Sequence, residues 1–216
     1  MPLSTHVPFR RLWPTLALVA FTCALLAARI YTSGSLQFAF LVPNLALALV
    51  PLAVTSGLAA SERLRGSMPA SLLAAGVWLL FLPNAPYLLT DLIHLRLRPD
   101  APFWFDLVLL LSGAGAGLAA GYRSLLDMEE LVADRFGERA GRGAAIGALF
   151  LSAFGIYLGR FLRLNSWEAV TAPALVFGEV FAPVRDPLGH LMAWQFTLVF
   201  GLLLTLGYLT IRASRR

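Results

Sequence analysis

Asp91 and His94 lie three residues apart at the end of a long apolar run, so a helix would present both side chains on one face. A carboxylate in that position can orient an imidazole for proton transfer, and the two groups can also act as metal ligands. A third interpretation gives them no chemistry, because they would only end the apolar run and meet water at a membrane surface. The pair is a candidate site, and its spacing leaves the three interpretations open.

Pro83 and Pro86 interrupt the same apolar run, with Asn84 between them. Proline lacks an amide hydrogen and biases the residue before it away from helical geometry, so we expect the helix to break between the two prolines. Asn84 carries both donors and an acceptor. It either orients a ligand at the break or satisfies carbonyl groups that the prolines leave free. Pro43 and Asn44 repeat the Pro-Asn dipeptide of Pro83 and Asn84, which makes Asn44 a further candidate for a polar residue in the protein interior.

A second polar group, around Arg160 and Arg163, follows a later apolar run. These two arginines would share a helical face, where two guanidinium groups can hold a phosphate or a carboxylate. Arginines at a helix end can instead extend to lipid headgroups. Asn165, Trp167 and Glu168 follow closely, and their proximity favours a shared polar site.

We combine the two groups into one hypothetical binding site. Its residues are Asn84, Asp91, His94, Arg160, Arg163, Asn165, Trp167 and Glu168. A metal ion is a weaker alternative, with Asp91, His94 and Glu168 as its ligands. The sequence contains no phosphate-binding loop, dinucleotide fingerprint, nucleophile elbow or HExxH motif, so it identifies neither a catalytic residue nor a cofactor.

These residues belong to a strongly apolar chain of 216 residues, with 58% hydrophobic residues, 13% charged residues and a mean hydropathy of +0.74. Charged residues make up about a quarter of an average soluble protein, so the composition indicates an integral membrane protein. All seventeen basic residues are arginines, and membrane orientation and contact with anionic lipid explain them better than nucleic acid does. The single cysteine, Cys23, provides neither a disulfide nor a multi-cysteine metal site.

Six apolar runs approach the length needed to cross a bilayer, which predicts an all-α polytopic transmembrane bundle in a single membrane domain, residues 1–216. The predicted spans are 12–31, 36–58, 69–90, 103–122, 143–162 and 190–211, and the third is broken between Pro83 and Pro86. We predict interfacial helices in the fourth loop, residues 123–142, and in the apolar fifth loop. The first run follows Arg10 and Arg11, and we interpret it as a retained helix rather than a cleaved signal.

The distribution of arginines predicts the orientation of the chain. Eleven arginines fall on the side of the two termini and six on the other side, which favours both termini in the cytoplasm. Helix parity then brings the loops after the third and fifth spans to the same, outer side. The two polar groups should therefore face the same compartment.

The fourth span carries Gly113, Gly117 and Gly121 at four-residue spacing. Small residues on one face let two helix backbones approach closely and gain dispersion contacts. We expect this face to pack inside the protein rather than to form a dimer contact.

Three segments resemble domain-of-unknown-function family 1361. They are WLLFLPNAPYLLTDLIHL at 78–95, YLGRFLRLNSW at 157–167 and FLVPNLALALVPL at 40–52. The resemblance covers most of the hydrophobic chain and implies a bacterial multi-pass protein of the cytoplasmic membrane, while it implies no activity. Two positions depart from the family's pattern: Pro43 stands where a tryptophan is usual, and Glu168 stands where an aspartate is usual.

The leading functional hypothesis is binding or transport of an anionic or lipid-like molecule at an outward-facing polar pocket. Arg160 and Arg163 would hold its negative charge, Asn84 would orient it, and Asp91 with His94 could exchange a proton. The alternatives are a membrane-embedded enzyme that acts on a lipid headgroup or a polyprenyl phosphate, and a noncatalytic assembly protein. The lipid bilayer is the expected partner, nucleic acid is not expected, and the sequence leaves the oligomeric state open.

Overall fold

A computed structural model describes residues 12–214, and the regular structure of these residues is helical apart from one isolated β-bridge. Arg10, Arg11, Arg215 and Arg216, which enter the prediction of orientation, lie outside the described residues. The helices are α1 (Trp13–Ser33), α2 (Leu41–Ala60), α3 (Glu62–Gly66), α4 (Met68–Phe81), α5 (Asn84–Thr90), α6 (Phe103–Phe136), α7 (Glu138–Phe161), α8 (Glu168–Thr171), α9 (Pro173–Arg185) and α10 (Leu191–Ala213), with a 3₁₀ turn at Asp91–His94 after α5.

Among residues 12–214, six segments are long and apolar enough to cross a membrane: α1, α2, the combined segment Met68–His94, α6, α7 and α10. A bilayer core needs about 20 residues of α-helix, and each of these segments has 20 or more. The predicted all-α polytopic bundle is therefore confirmed for the described residues. The helices begin and end near the predicted bounds, except that α6 extends well beyond its predicted end, to Phe136.

The chain forms two compact units, which meet in sequence at Asp127 and Met128. We call the part up to Asp127 the amino-terminal unit and the part from Met128 the carboxy-terminal unit. Each is described by itself, and the prediction of a single membrane domain stays a prediction.

The third span is interrupted where its prolines predict. Helix α4 ends at Phe81 and α5 begins at Asn84, so Leu82 and Pro83 lie outside both helices. Both residues nevertheless keep right-handed helical dihedrals, with φ −53° and ψ −40° at Leu82 and φ −57° and ψ −29° at Pro83. The interruption is therefore a local loss of helical hydrogen bonding rather than an unwound segment.

The glycine face of α6 packs against this interruption. A methyl group on Gly117 would overlap the carbonyl oxygen of Ala85, and one on Gly121 would come within 2.9 Å of the Ala85 Cβ. Because backbones in this contact approach more closely than any side chain allows, the glycines are required there. A buried interhelical hydrogen bond supports the same unit, because the Thr22 hydroxyl of α1 donates to Ser112 Oγ of α6 at 3.0 Å.

The fourth-loop prediction is wrong in detail. Helix α6 continues without interruption to Phe136, and Gly137 alone, at φ 89°, separates it from α7. No proline or glycine lies between Tyr122 and Phe136, and the apolar spacing read as a separate interfacial helix is the continuing period of α6. The fifth loop does contain helices, α8 and α9; their placement along a membrane stays a prediction.

In the carboxy-terminal unit, α7 packs against α10, and Gly201 lies against the ring of Phe150. Glu129 is 6% exposed and accepts hydrogen bonds from the Tyr208 hydroxyl at 2.7 Å and from Arg212 Nε at 2.9 Å. Charged runs on helices usually form a solvated face, whereas these contacts show a buried carboxylate that joins the end of α6 to α10.

Candidate functional site

Polar side chains meet at one end of the amino-terminal unit, where α1 and the third span end and where α2 and α6 begin. We call this region the polar end. Its members are Arg29, Asn44, Asp91, His94, Arg98, Asp100 and Asp106. Hydrogen bonds or ion pairs connect Arg29, Asp100, Asp106, Arg98 and the His94 carbonyl oxygen, and a separate hydrogen bond joins Asn44 to Asp91. The up-and-down order of the spans explains this meeting, because the first and third spans end on the side where the second and fourth spans begin.

Arg29 is the centre of the polar end. Its Nε donates to Asp106 Oδ1 at 2.7 Å, and its Nη2 donates to Asp100 Oδ2 at 2.9 Å. Arg29 is 1% exposed and Asp106 is fully buried, although both lie in helices apolar enough to cross a membrane. A buried ion pair loses hydration that its mutual attraction only partly restores, so it contributes little net stability by itself.

Arg98 approaches the same carboxylate from the loop before α6. Its Nε lies 3.8 Å from Asp106 Oδ2, and its Nη2 donates to the His94 carbonyl oxygen at 3.1 Å. The ring of Phe38 lies against both guanidinium groups, with its centroid 5.3 Å from the Arg98 Cζ and 6.0 Å from the Arg29 Cζ. An aromatic face at this range attracts a cation, so Phe38 helps to hold two positive charges close together.

The polar end contains buried atoms with no hydrogen-bond partner among residues 12–214. They are Arg29 Nη1, Arg98 Nε and Asp106 Oδ2. Buried polar groups in proteins are nearly always satisfied, so such atoms call for an explanation. The two unsatisfied nitrogens belong to cationic groups, so they can donate hydrogen bonds to an anion.

Asp91 is held at the edge of the polar end. It is 1% exposed, and its Oδ2 accepts a hydrogen bond from Asn44 Nδ2 at 3.1 Å. His94 packs its ring on Phe40, with centroids 5.0 Å apart. Asn44 is therefore a neighbour of Asp91, even though the two residues are distant in sequence.

Asp100 lies outside the spanning segments, and the hydrogen bond from Arg29 lowers the pKa of its carboxyl group below the ordinary value of 3.8. A lowered pKa in the folded state stabilises the fold above the ordinary value, and this stabilisation is lost as the pH falls through the lowered pKa. Asp100 therefore remains an anion at neutral pH.

Asn84 donates its Nδ2 to the Phe81 carbonyl oxygen at 3.0 Å. This carbonyl belongs to the last residue of α4, so the contact matches the interpretation in which Asn84 satisfies groups freed by the prolines. Asn84 begins α5, whereas Asp91 and His94 follow its end. Its predicted role in orienting a ligand stays a prediction.

The remaining predicted residues belong to the carboxy-terminal unit. Arg160 lies in the last turn of α7, which ends at Phe161, and Arg163 beyond it has a left-handed φ of 59°. The predicted common helical face of the two arginines is therefore wrong, because the helix ends between them. Left-handed residues are common just after helix ends, and here Leu164 N closes back on the Leu158 carbonyl oxygen at 3.2 Å.

Asn165, Trp167 and Glu168 form the turn that starts α8. Glu168 Oε2 accepts a hydrogen bond from the Asn165 backbone amide at 2.5 Å, and the Glu168 amide donates to the Asn165 carbonyl oxygen at 3.0 Å. Trp167 is 49% exposed. The turn thus explains the proximity of Asn165 and Glu168 without a ligand, and convergence of this group with Asp91 and His94 stays a prediction.

A metal site was the weaker alternative. Within each unit, the described residues contain no group of three His, Cys, Asp or Glu side chains that could hold a metal ion. The predicted trio of Asp91, His94 and Glu168 draws on both units, so it stays untested.

Sequence reasoning missed Arg29, Asp100 and Asp106, and it missed the contact of Phe38 with both guanidinium groups. A signal for two of them was present. Arg29 lies near the end of the first apolar run and Asp106 near the start of the fourth, and helix parity places both at the level of Asp91. An opposite pair of charges inside apolar helices is the pattern that would have identified the site.

Helices of spanning length and composition, with charges paired in the interior of one unit, define a multi-pass helical membrane protein. The comparison with family models then identifies its family. The model described as "Protein of unknown function (DUF1361)" matches residues 43–206, and the chain belongs to this family. This confirms the resemblance inferred from the three segments. No curated protein and no solved structure matches the chain.

Proposed function

We propose that the protein binds, and in its working cycle transports, an anionic or lipid-like molecule at the polar end of the amino-terminal unit. One observation carries the proposal: Arg29 and Arg98 each keep a buried nitrogen without a hydrogen-bond partner in the described part of the chain. Charged groups in membrane helices are expensive, and they are generally retained for a substrate, an ion or a proton.

The placement of these groups supports binding in particular. Arg29 is held by Asp106, by Asp100 on Nη2 and by the Phe38 ring, so its guanidinium is oriented before any ligand arrives, with Nη1 open. A preorganised guanidinium loses little conformational freedom on binding and presents two parallel N–H groups to a carboxylate or a phosphate.

Arg160 and Arg163 enter the proposal as predicted contributors from the carboxy-terminal unit. We also propose that the protein lies in the cytoplasmic membrane of a bacterial cell, that both termini are in the cytoplasm, and that the polar end faces outward. The contribution of the two arginines and the orientation are tested separately, and the binding of a ligand at the polar end depends on neither.

The experiment measures binding of short-chain phosphatidylglycerol to the purified full-length protein in a nonionic detergent. Arg98→Gln removes a donor whose side chain is 15% exposed, and Arg96→Gln removes a neighbouring charge that is exposed. We expect Arg98→Gln to weaken binding about tenfold, the loss of one charge-assisted hydrogen bond, and Arg96→Gln to leave it near the wild-type value.

Equal weakening by both variants would indicate only a general attraction of positive charge to an anionic lipid, and it would refute the proposed site. Undiminished binding in Arg98→Gln would refute it as well. The double variant Arg160→Gln with Arg163→Gln tests the carboxy-terminal contribution in the same assay.

A further inference from the structure

The guanidinium group of Arg29 is divided among two carboxylates and one open position. Its Nε is bound by Asp106 and its Nη2 by Asp100, at 2.7 and 2.9 Å. Its Nη1 is buried and has no partner in residues 12–214. The outer edge of the guanidinium, formed by Nη1 and Nη2, is thus only half used.

The two carboxylates differ in how firmly they are held. Asp106 belongs to the first turn of α6 and its side chain is 1% exposed. Asp100 belongs to the short loop before α6 and its side chain is 36% exposed. Asp100 can therefore turn into water without disturbing a helix, whereas Asp106 is enclosed within the polar end and would stay buried if it left Arg29.

A second donor lies beside this edge. Arg98, two residues before Asp100, faces the other oxygen of Asp106, and its Nε has no hydrogen bond to any described residue. When Asp100 is absent, Arg29 and Arg98 face the single charge of Asp106. The other buried carboxylate of the polar end, Asp91, accepts from Asn44. Arg29, Arg98 and Asp106 together would then carry one net positive charge and present three open donors, counted apart from the separate pair of Asp91 and Asn44.

We propose that Asp100 is an internal substitute for the phosphate group of a ligand. The phosphate displaces Asp100, binds Nη1 and Nη2 of Arg29 through two oxygens, and reaches Nε of Arg98 with a third. This inference rests on the proposed function, and it names the ligand chemistry and the competitor within the chain. A phosphodiester has the single negative charge that the site lacks once Asp100 has left, and it offers a bidentate contact that Asp100 does not make.

In this arrangement Asp100 competes with the ligand, so its carboxylate lowers the affinity of the protein for phosphate. A group that occupies the site in the free protein lowers the apparent affinity by the fraction of molecules in which it is bound. Removing the charge of Asp100 should therefore tighten binding, even though it removes a residue from the site.

The experiment compares Asp100→Asn with wild type in binding of two probes, inorganic phosphate and short-chain phosphatidylglycerol, to the full-length protein in detergent. Glu62→Gln is the matched control, since it removes an exposed acidic charge from α3 in the same unit. We expect Asp100→Asn to tighten binding of a phosphate probe roughly tenfold, Glu62→Gln to leave it unchanged, and Asp100→Glu to restore the wild-type affinity. Tightening for the lipid alone assigns the site to a headgroup, and tightening for both probes assigns it to phosphate in general.

If wild type binds the probes as tightly as Asp100→Asn or more tightly, the inference is overturned and the proposed function stands. If neither probe binds wild type or Asp100→Asn, both the inference and the proposed function are overturned. Size-exclusion elution and circular dichroism of Asp100→Asn establish that this variant is folded. Asp100→Glu keeps a carboxylate that can compete with the phosphate for Arg29, so its affinity should equal that of wild type.

Discussion

At the scale of single residues, the polar end and the Glu129 cluster illustrate two uses of a buried charge. Glu129 receives one donor on each oxygen, from Tyr208 and Arg212, so the cluster is complete. Arg29 and Asp106 are bound to each other, yet each keeps an unsatisfied atom within the described part of the protein. A complete cluster joins helices, whereas an incomplete one retains the capacity to bind.

The Arg29 and Asp106 pair leads to a prediction about stability. Arg29→Gln and Asp106→Asn should each lower the free energy of unfolding by up to about 3–5 kcal/mol, because each removes the shortest ion pair of a buried charge and leaves that charge only its other partner, Asp100 for Arg29 or Arg98 for Asp106. The double variant should lose less than the sum of the two, since it buries no unpaired charge. A double-mutant cycle from unfolding curves in detergent measures the difference.

Arg96→Gln, which changes an exposed arginine in the same unit, serves as the control for loss of positive charge and should fall within about 0.5 kcal/mol of wild type. Additive effects of Arg29→Gln and Asp106→Asn would contradict the coupling that the 2.7 Å contact implies.

At the scale of elements, the third span and α6 depend on each other. The prolines interrupt the helix at Leu82 and Pro83, and Asn84 caps the end of α4 through the Phe81 carbonyl oxygen. The backbone just after the interruption then lies against Gly117, where no side chain fits. The orientation of Asp91 and His94 follows from this contact, because they continue the same segment.

Two glycines of α6 give a matched test of this contact. Gly117→Ala should destabilise the protein by about 1–3 kcal/mol, since the added methyl group overlaps the Ala85 carbonyl oxygen and the backbone must move. Gly115→Ala adds the same group where no described atom lies within 4 Å, so only the better helix propensity of alanine should act, by up to about 1 kcal/mol. Thermal unfolding of the two purified variants measures both effects, and similar behaviour of the two would argue against the close contact.

The elements also show what could be predicted and why. Periodicity and proline chemistry are local, so the six apolar helices and the interruption before Asn84 follow from short stretches of sequence. The end of α6 was misplaced because a run of charged residues was read as a loop, although a charged run without proline or glycine continues a helix. The common face of Arg160 and Arg163 failed because nothing in their spacing reveals a left-handed residue at position 163.

At the scale of the whole molecule, the arginine distribution predicts both termini in the cytoplasm, and cysteine labelling tests this. The experiment uses a Cys23→Ser background. Leu97→Cys changes a residue in the loop after the third span that is 85% exposed in wild type, and Arg63→Cys changes an exposed residue of α3, between the second and third spans. A membrane-impermeant maleimide should label Leu97→Cys in intact cells and Arg63→Cys only after permeabilisation. The reverse pattern would place the polar end in the cytoplasm and reverse the proposed orientation.

The amino-acid sequence by itself determines that this chain is a multi-pass helical protein of its family, where its spanning helices lie, and that the third is interrupted by proline. These properties depend on composition, period and local backbone chemistry. Only the tertiary structure decided which charges meet: Arg29 pairs with Asp106 across 77 residues, and Asp91 pairs with Asn44 across 47. Such pairing depends on which helices become neighbours and how closely they approach. One such approach, between α6 and the interrupted third span, requires Gly117, because no side chain fits against the Ala85 carbonyl oxygen.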